Sequence, residues 1–287
     1  MTADTVYINE LSLDGQFATL LDFDSQAIPC LIGIYEDLQY FHLTTYRTST
    51  LYNRSVTRRH TLHDALFGPE SRILDGIRKY KNQLARLTLE QPFWDQNPQQ
   101  NKEANYSYCN QTVNDTSLAE ARATDGIVIS LPHKHFGSEK LYILENQKPL
   151  DIYNVTRKRQ LVEILYARNK ISFNTYCQQL FINDRLDFSK LHEGAGLELI
   201  PQQLEHQIIG TFKRFCQLKW TDLPHDSGLR YKPYHKSGLN KDFFTPEEWK
   251  AGIMEFRFSG GGRCFGIKQA DRFLVLRIDL THILGDR

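Results

Sequence analysis

Apolar and polar residues alternate in TVYINELSL (5–13), which predicts an opening strand closed by the Asp14-Gly15 turn. FATLLDFDSQAIPCLIGIYEDLQYF (17–41) then repeats its apolar residues at helical spacing, with Pro29 in an early helical turn. Thr and Tyr dominate HLTTYRTSTLYN (42–53), a second strand. Helices follow over TLHDALF (61–67) and PESRILDGIRKYKNQLARL (69–87), the latter with Pro69 in its first turn and Ile73, Ile77, Leu84 and Leu87 on one stripe. EQPFWDQNPQQNKEANYS (90–107) is polar and amide-rich and predicts a long loop anchored by Phe93 and Trp94. SLAEAR (117–122) is a short helix capped from Thr116-Ser117. GIVISLP, KLYILEN and PLDIYNV predict a small sheet over 126–155.

Helical spacing returns in RKRQLVEILYARN (157–169) and SFNTYCQQLFI (172–182). Two glycines and a proline in HEGAGLELIP mark a soft border near 193–201. Beyond it, PQQLEHQIIGTFKRFCQLKW (201–220) is amphipathic, with Leu204, Ile208, Phe212 and Phe215 on one face. A basic loop precedes a helix start at Thr245-Pro246-Glu247-Glu248. MEFRFS, RCFGIK and RFLVLRID then read as a three-stranded antiparallel meander. The expected fold class is α+β: a mixed body over 1–195 and a helix-plus-sheet module over 196–287.

Gly260, Gly261 and Gly262 separate two of those strands. A phosphate-cradling loop would open a helix, whereas here a strand follows, so the triplet reads as a hairpin turn built from residues tolerant of positive φ. Met254, Phe256 and Phe258 share one strand face, and Glu255 and Arg257 the other. With one face packed on the 201–220 helix, Arg257, Arg277 and Lys268 are expected on an open face, while the register leaves the face of Arg263 undetermined.

The formal net charge is only +1, yet residues 211–287 hold fourteen Lys/Arg against nine Asp/Glu. That asymmetry points to an anionic ligand for the C-terminal module. Five dispersed cysteines predict reduced thiols, and the acidic start carries no secretory signal, so the expected compartment is cytoplasmic. No apolar run reaches membrane-spanning length.

Residues 200–287 resemble the RelE/HigB class of bacterial ribosome-associated ribonuclease toxins. The amphipathic helix, the basic segment, Glu255-Phe256-Arg257, the strand from Arg263 and the strand 273–279 with His282 follow that family's order. The preceding two hundred residues resemble no characterised family, so the module would belong to a longer bacterial effector, such as one used in phage defence. The resemblance implies a RelE-like fold and a metal-independent endoribonuclease acting on RNA, including ribosome-bound mRNA. Arg257, Arg263 and Arg277 would clamp phosphate, and His282 would move the proton. Arg230, Lys232, His235, Lys236, Lys268 and Arg272 would line the nucleic-acid path, with Tyr231, Tyr234 and His235 stacking on bases. No cofactor or metal is expected.

The competing expectation is a non-catalytic subunit whose aromatic-rich N-terminal body binds an operon-encoded protein partner. Two histidine pairs, His60 with His63 and His133 with His135, have spacings that could serve zinc, but surface and cap roles account for them more simply. Asp125 with Glu139-Lys140 loosely matches a metal-dependent nuclease order, a minor alternative.

Overall fold

Val6–Ile8 (β1) and Ile127–Ile129 (β7) are three-residue apolar runs buried along their whole length, as strands covered on both faces must be. They pair in parallel at the centre of a seven-stranded sheet in the structure, a computed structural model that describes residues 4–68, 81–237 and 240–280. The fold is α+β. The chain divides into two compact units, residues 1–164 and 165–287. The border expected near 193–201 therefore lies inside the second unit.

In the first unit, β2 (Asp14–Phe17) follows β1 and pairs in parallel with β4 (Ser55–Thr57) as a separate two-stranded sheet. Between them lie α1 (Leu20–Gln26), α2 (Ile28–Tyr40) and β3 (Thr45–Tyr46). Thr19 caps α1 in a reciprocal capping box with Asp22, and Pro29 sits in the first turn of α2, where its missing N–H costs nothing. The long strand expected over 42–53 shrinks to the two residues of β3, and a 3₁₀ turn occupies Leu51–Asn53. α3 (Leu62–Phe67) and α4 (Lys81–Leu89) follow, with Leu84 and Leu87 buried. Pro69, Ile73 and Ile77 lie outside the described residues.

The 126–155 strands belong to a larger sheet than expected. With β5 (Tyr106–Tyr108), β6 (Gln111–Thr112), β8 (Lys140–Glu145) and β9 (Lys148–Val155), the order is β3-β1-β7-β9-β8-β5-β6. Its β3-β1-β7-β9 half is parallel and the remainder antiparallel. α5 (Ser117–Ala123) packs Leu118, Ala119 and Ala121 into one apolar cluster with Val128, Leu141, Ile143 and Ile152.

Asp24 is a misfit in this unit. It lies on α1 at 3 % exposure, and no described residue donates a hydrogen bond to it or pairs with its charge. Burial pushes its carboxyl up to about 6 from an ordinary 3.8. A folded-state value above the unfolded one means its favourable contribution is complete below pH 4 and is lost as pH rises through about 6. At pH 7 the ionised group then disfavours folding. Asp24→Asn is expected to melt above wild type at pH 7.5 and level with it at pH 4. A melting difference that does not change between those pH values would contradict this.

The second unit contains α6 from Leu165 onward (Gln160–Ala167), α7 (Phe173–Leu180), α8 (Gln202–Gln217) and α9 (Pro246–Ala251). Its sheet has the order β10-β14-β13-β12-β11. The meander β12 (Ile253–Arg257), β13 (Arg263–Gln269), β14 (Arg272–Asp279) forms as the pattern predicts. β11 (Lys232–Pro233) adds an edge strand, a position that tolerates proline, and β10 (Leu186–Asp187) joins β14 in parallel. Phe212 and Phe215 of α8 meet Phe256, Phe258 and Phe273 on one sheet face, with Phe215 stacked on Phe256 at 4.4 Å between centroids.

The opposite face is not open. Tyr234, Phe244 and Trp249 pack there with Ile253, Phe265 and Leu276.

The glycine triplet does turn a hairpin, but not through positive φ. Among the described residues the glycines with positive φ are Gly15, Gly194 and Gly252. At Gly262 the requirement is space: a Cβ there would stand 2.3 Å from the Phe258 ring. Gly262 also donates its N–H to Ser259 Oγ at 2.7 Å.

Candidate nucleic-acid interface

Strand pairing sets two charged rows on the sheet face away from α8. In an antiparallel ladder directly opposed residues project to the same side. Arg257 opposes Arg263, and Arg263 opposes Asp279. One step along, Lys232 opposes Glu255, Glu255 opposes Phe265, and Phe265 opposes Arg277. The register thus settles the face of Arg263: it lies with Arg257.

Arg277 reaches this side for a reason invisible in the alternation. A bulge between Phe265 and Gly266 sets Phe265 against Arg277 but Gly266 against Val275. The extra residue, Leu276, breaks the period of two. Arg277 therefore departs from the face of Phe273 and Val275 that its spacing suggests. It is half-buried under the 240–251 segment, donating from Nη1 to the Phe243 carbonyl at 3.1 Å and lying over the Phe243 ring.

The first row is electrostatically tense. Arg263 is 8 % exposed, and its Nη1 donates to the Gly262 carbonyl at 3.0 Å and the Gly261 carbonyl at 3.3 Å, tying it to the hairpin turn. Burial, then repulsion from Arg257, lowers its affinity for the proton; Glu255 opposes that, Arg230 adds to it, and Asp279 opposes it. Glu255 is 4 % exposed and pairs with Lys232 at 3.2 Å. Arg257 is half-buried, and its Nε is shielded from solvent with no hydrogen-bond acceptor. Arg230 stands exposed at positive φ on the approach to β11, beside Leu229, whose carbonyl accepts from the Arg257 N–H. Four cations thus meet two carboxylates, leaving a local positive excess.

The other expected residues are dispersed. Tyr231 is 6 % exposed and packs against Phe215, Trp220 and Phe273, so burial pushes its phenol up to about 12. Tyr234 is 5 % exposed and stacked on Trp249. Both rings belong to the core and have no face to offer a base, a correction to the stacking role. His235 and Lys236 are exposed in the same loop. Lys268 and Arg272 lie at the far end of the meander. There Lys268 covers the Trp220 ring on the α8 side and Arg272 pairs with Asp187 at 3.1 Å, so neither joins the arginine rows. His282 lies outside the described residues.

One arrangement was hidden from sequence reasoning. His192 Nε2 stands 2.8 Å from Glu248 Oε1, a partner fifty-six positions away on α9. The His192 backbone N–H donates to the Leu276 carbonyl at 2.8 Å, and the His192 ring lies against Phe244, beside the residue whose carbonyl receives Arg277. An imidazole oriented by a carboxylate can move protons. The segment HEGAGLELIP reads only as a border, so nothing local signals this pair.

His133 pairs with Asp14 at 3.1 Å, and Lys140 with Asp151 at 2.6 Å, which accounts for two members of the metal and nuclease alternatives. Among the described residues no three His, Cys, Asp or Glu side chains gather as a metal-binding group. None of the five cysteines forms a disulfide. Among the described residues no helix is long and apolar enough to cross a membrane. Comparisons with protein-family models, curated proteins and solved structures find no match for this chain.

Proposed function

We propose that the second unit binds RNA through the Arg257–Arg263 row and Arg230, as the toxin-like module of a bacterial intracellular effector. The observation that carries this reading is the set of three guanidiniums held together, one of them with a shielded Nε that lacks an acceptor. Gathering like charges costs free energy, and a phosphate diester would relieve it by bidentate pairing. In cleavage, Arg257 and Arg230 would stabilise the charge on the transferring phosphate.

The experiment is expression of the full chain in a bacterial host, scoring growth and total RNA integrity. RNA loss relieved by Arg257→Ala is the expected result. Intact RNA with normal growth on expression of well-folded wild type would contradict the cleavage reading and leave RNA binding to be judged by direct titration. A second reading, a protein partner on the first unit, is favoured by Tyr142 of β8, which is 65 % exposed. Partner capture that Tyr142→Ala abolishes would support it.

A further inference from the structure

The first unit contains a cavity of about 1240 Å³ between β2, the start of α1 and the loop after β4. This exceeds the roughly 300–1,000 Å³ of ordinary small-ligand sites. Its walls combine apolar side chains, Phe17, Leu20 and Leu21, with Arg58 and Arg59. Leu21 is 63 % exposed, an apolar surface left uncovered beside the cavity. Arg58 and Arg59 are exposed, and no described residue pairs with either. Thr57 Oγ1 shapes their loop by accepting from the Arg59 N–H at 3.2 Å and the His60 N–H at 3.0 Å.

The second observation is Asp24. Asp24, a residue 3 % exposed overall, also lines the cavity, and its carboxylate has no partner among the described residues. A carboxylate in such a place needs donors, and none of the described residues supplies one. The carboxylate opens on the cavity, so N–H donors on an occupant would satisfy it. Two cations on the same wall call for an anion on that occupant, and the apolar walls suit a flat ring.

We propose that this cavity binds a guanine nucleotide. Guanine presents two adjacent N–H donors, N1–H and N2–H, which a carboxylate accepts in bidentate fashion. Adenine offers no such pair. The phosphate is held by Arg58 and Arg59, whose guanidiniums match its oxygens, and the base lies against Phe17, Leu20 and Leu21. Asp24 selects the base, and the arginines provide affinity for the phosphate. The proposal is independent of the RNA reading, which concerns the second unit.

Calorimetric titration of the full chain with GMP, AMP, guanosine and inorganic phosphate tests it. GMP should bind, with AMP weaker by about tenfold or more. Asp24→Asn, which keeps one acceptor but sets a donor against a donor, should weaken GMP by a similar factor and erase its preference over AMP. Arg58→Ala with Arg59→Ala should weaken GMP toward guanosine while preserving the preference for guanine. Equal binding of GMP and AMP, GMP binding unaltered in a folded Asp24→Asn protein, or no binding of GMP by wild type would each overturn the proposal. A circular-dichroism melt of each variant separates loss of binding from loss of fold.

Discussion

Gly266→Ala is expected to destabilise the second unit by about 3 kcal/mol or more, a larger loss than most single substitutions cause. Gly266 occupies the middle strand, where an added Cβ would lie 2.2 Å from the Leu274 carbonyl oxygen and 2.6 Å from the Phe273 ring. A side chain could swing aside, but a backbone carbonyl in a paired strand cannot move without breaking the ladder. The bulge brings β14 this close, and the same bulge turns Arg277 away from Phe273. Gly266→Ala should therefore disturb the arginine face as well as the core. Urea unfolding followed by tryptophan fluorescence checks the prediction, because Trp220 and Trp249 both lie in this unit. A midpoint equal to wild type would show that the strands are not so closely apposed.

Asp37→Ala should have a comparable effect on the first unit, about 3–5 kcal/mol. The Asp37 carboxylate is 1 % exposed on α2 and ion-pairs with the Arg159 guanidinium, itself only 13 % exposed. Its second oxygen accepts the Arg159 backbone N–H at 2.9 Å, with Arg159 at positive φ. Burial alone would raise the Asp37 carboxyl, and the Arg159 charge and hydrogen bonds oppose that rise without fully cancelling it. Truncation would strand a guanidinium and an N–H away from water together. Far-ultraviolet circular dichroism during urea titration measures the cost. An unchanged unfolding midpoint would place the pair among ion pairs that contribute little.

The elements most legible in the sequence were those in which local chemistry and tertiary burial agree. Thr245 opens its helix with a reciprocal cap, and β12 and β13 of the C-terminal meander follow their alternation. The β5–β6 hairpin was hidden in what reads as the end of a polar loop. Its two-residue turn puts Cys109 and Asn110 at φ of 49° and 62°, a conformation usually announced by Asn-Gly or Asp-Gly. Arg257 was legible on the side away from the helix-packed face. The cover over that face was not, because Phe244 and Trp249 return to it from a segment with no strand or sheet pattern of its own. The buried state of Tyr231 and Tyr234 has the same origin: aromatic residues among lysines look like a binding loop until the rings are placed. Asp24, with Asp22, reads as capping and a solvated edge, since an acidic residue inside a helix resembles any solvated one until its surroundings are known; it is instead buried.

The arginine row is the centre of the functional account, and its most direct test is binding of a labelled single-stranded RNA by the full chain across a salt series. Wild type should weaken steeply with salt, and Arg257→Ala should bind about tenfold more weakly or worse, with its log–log salt slope shallower by about 0.7 for the lost phosphate contact. Its thermal stability should not fall, because Arg263 would lose a repulsive neighbour. Equal affinity and equal slope in wild type and Arg257→Ala would contradict the assignment of RNA to this face.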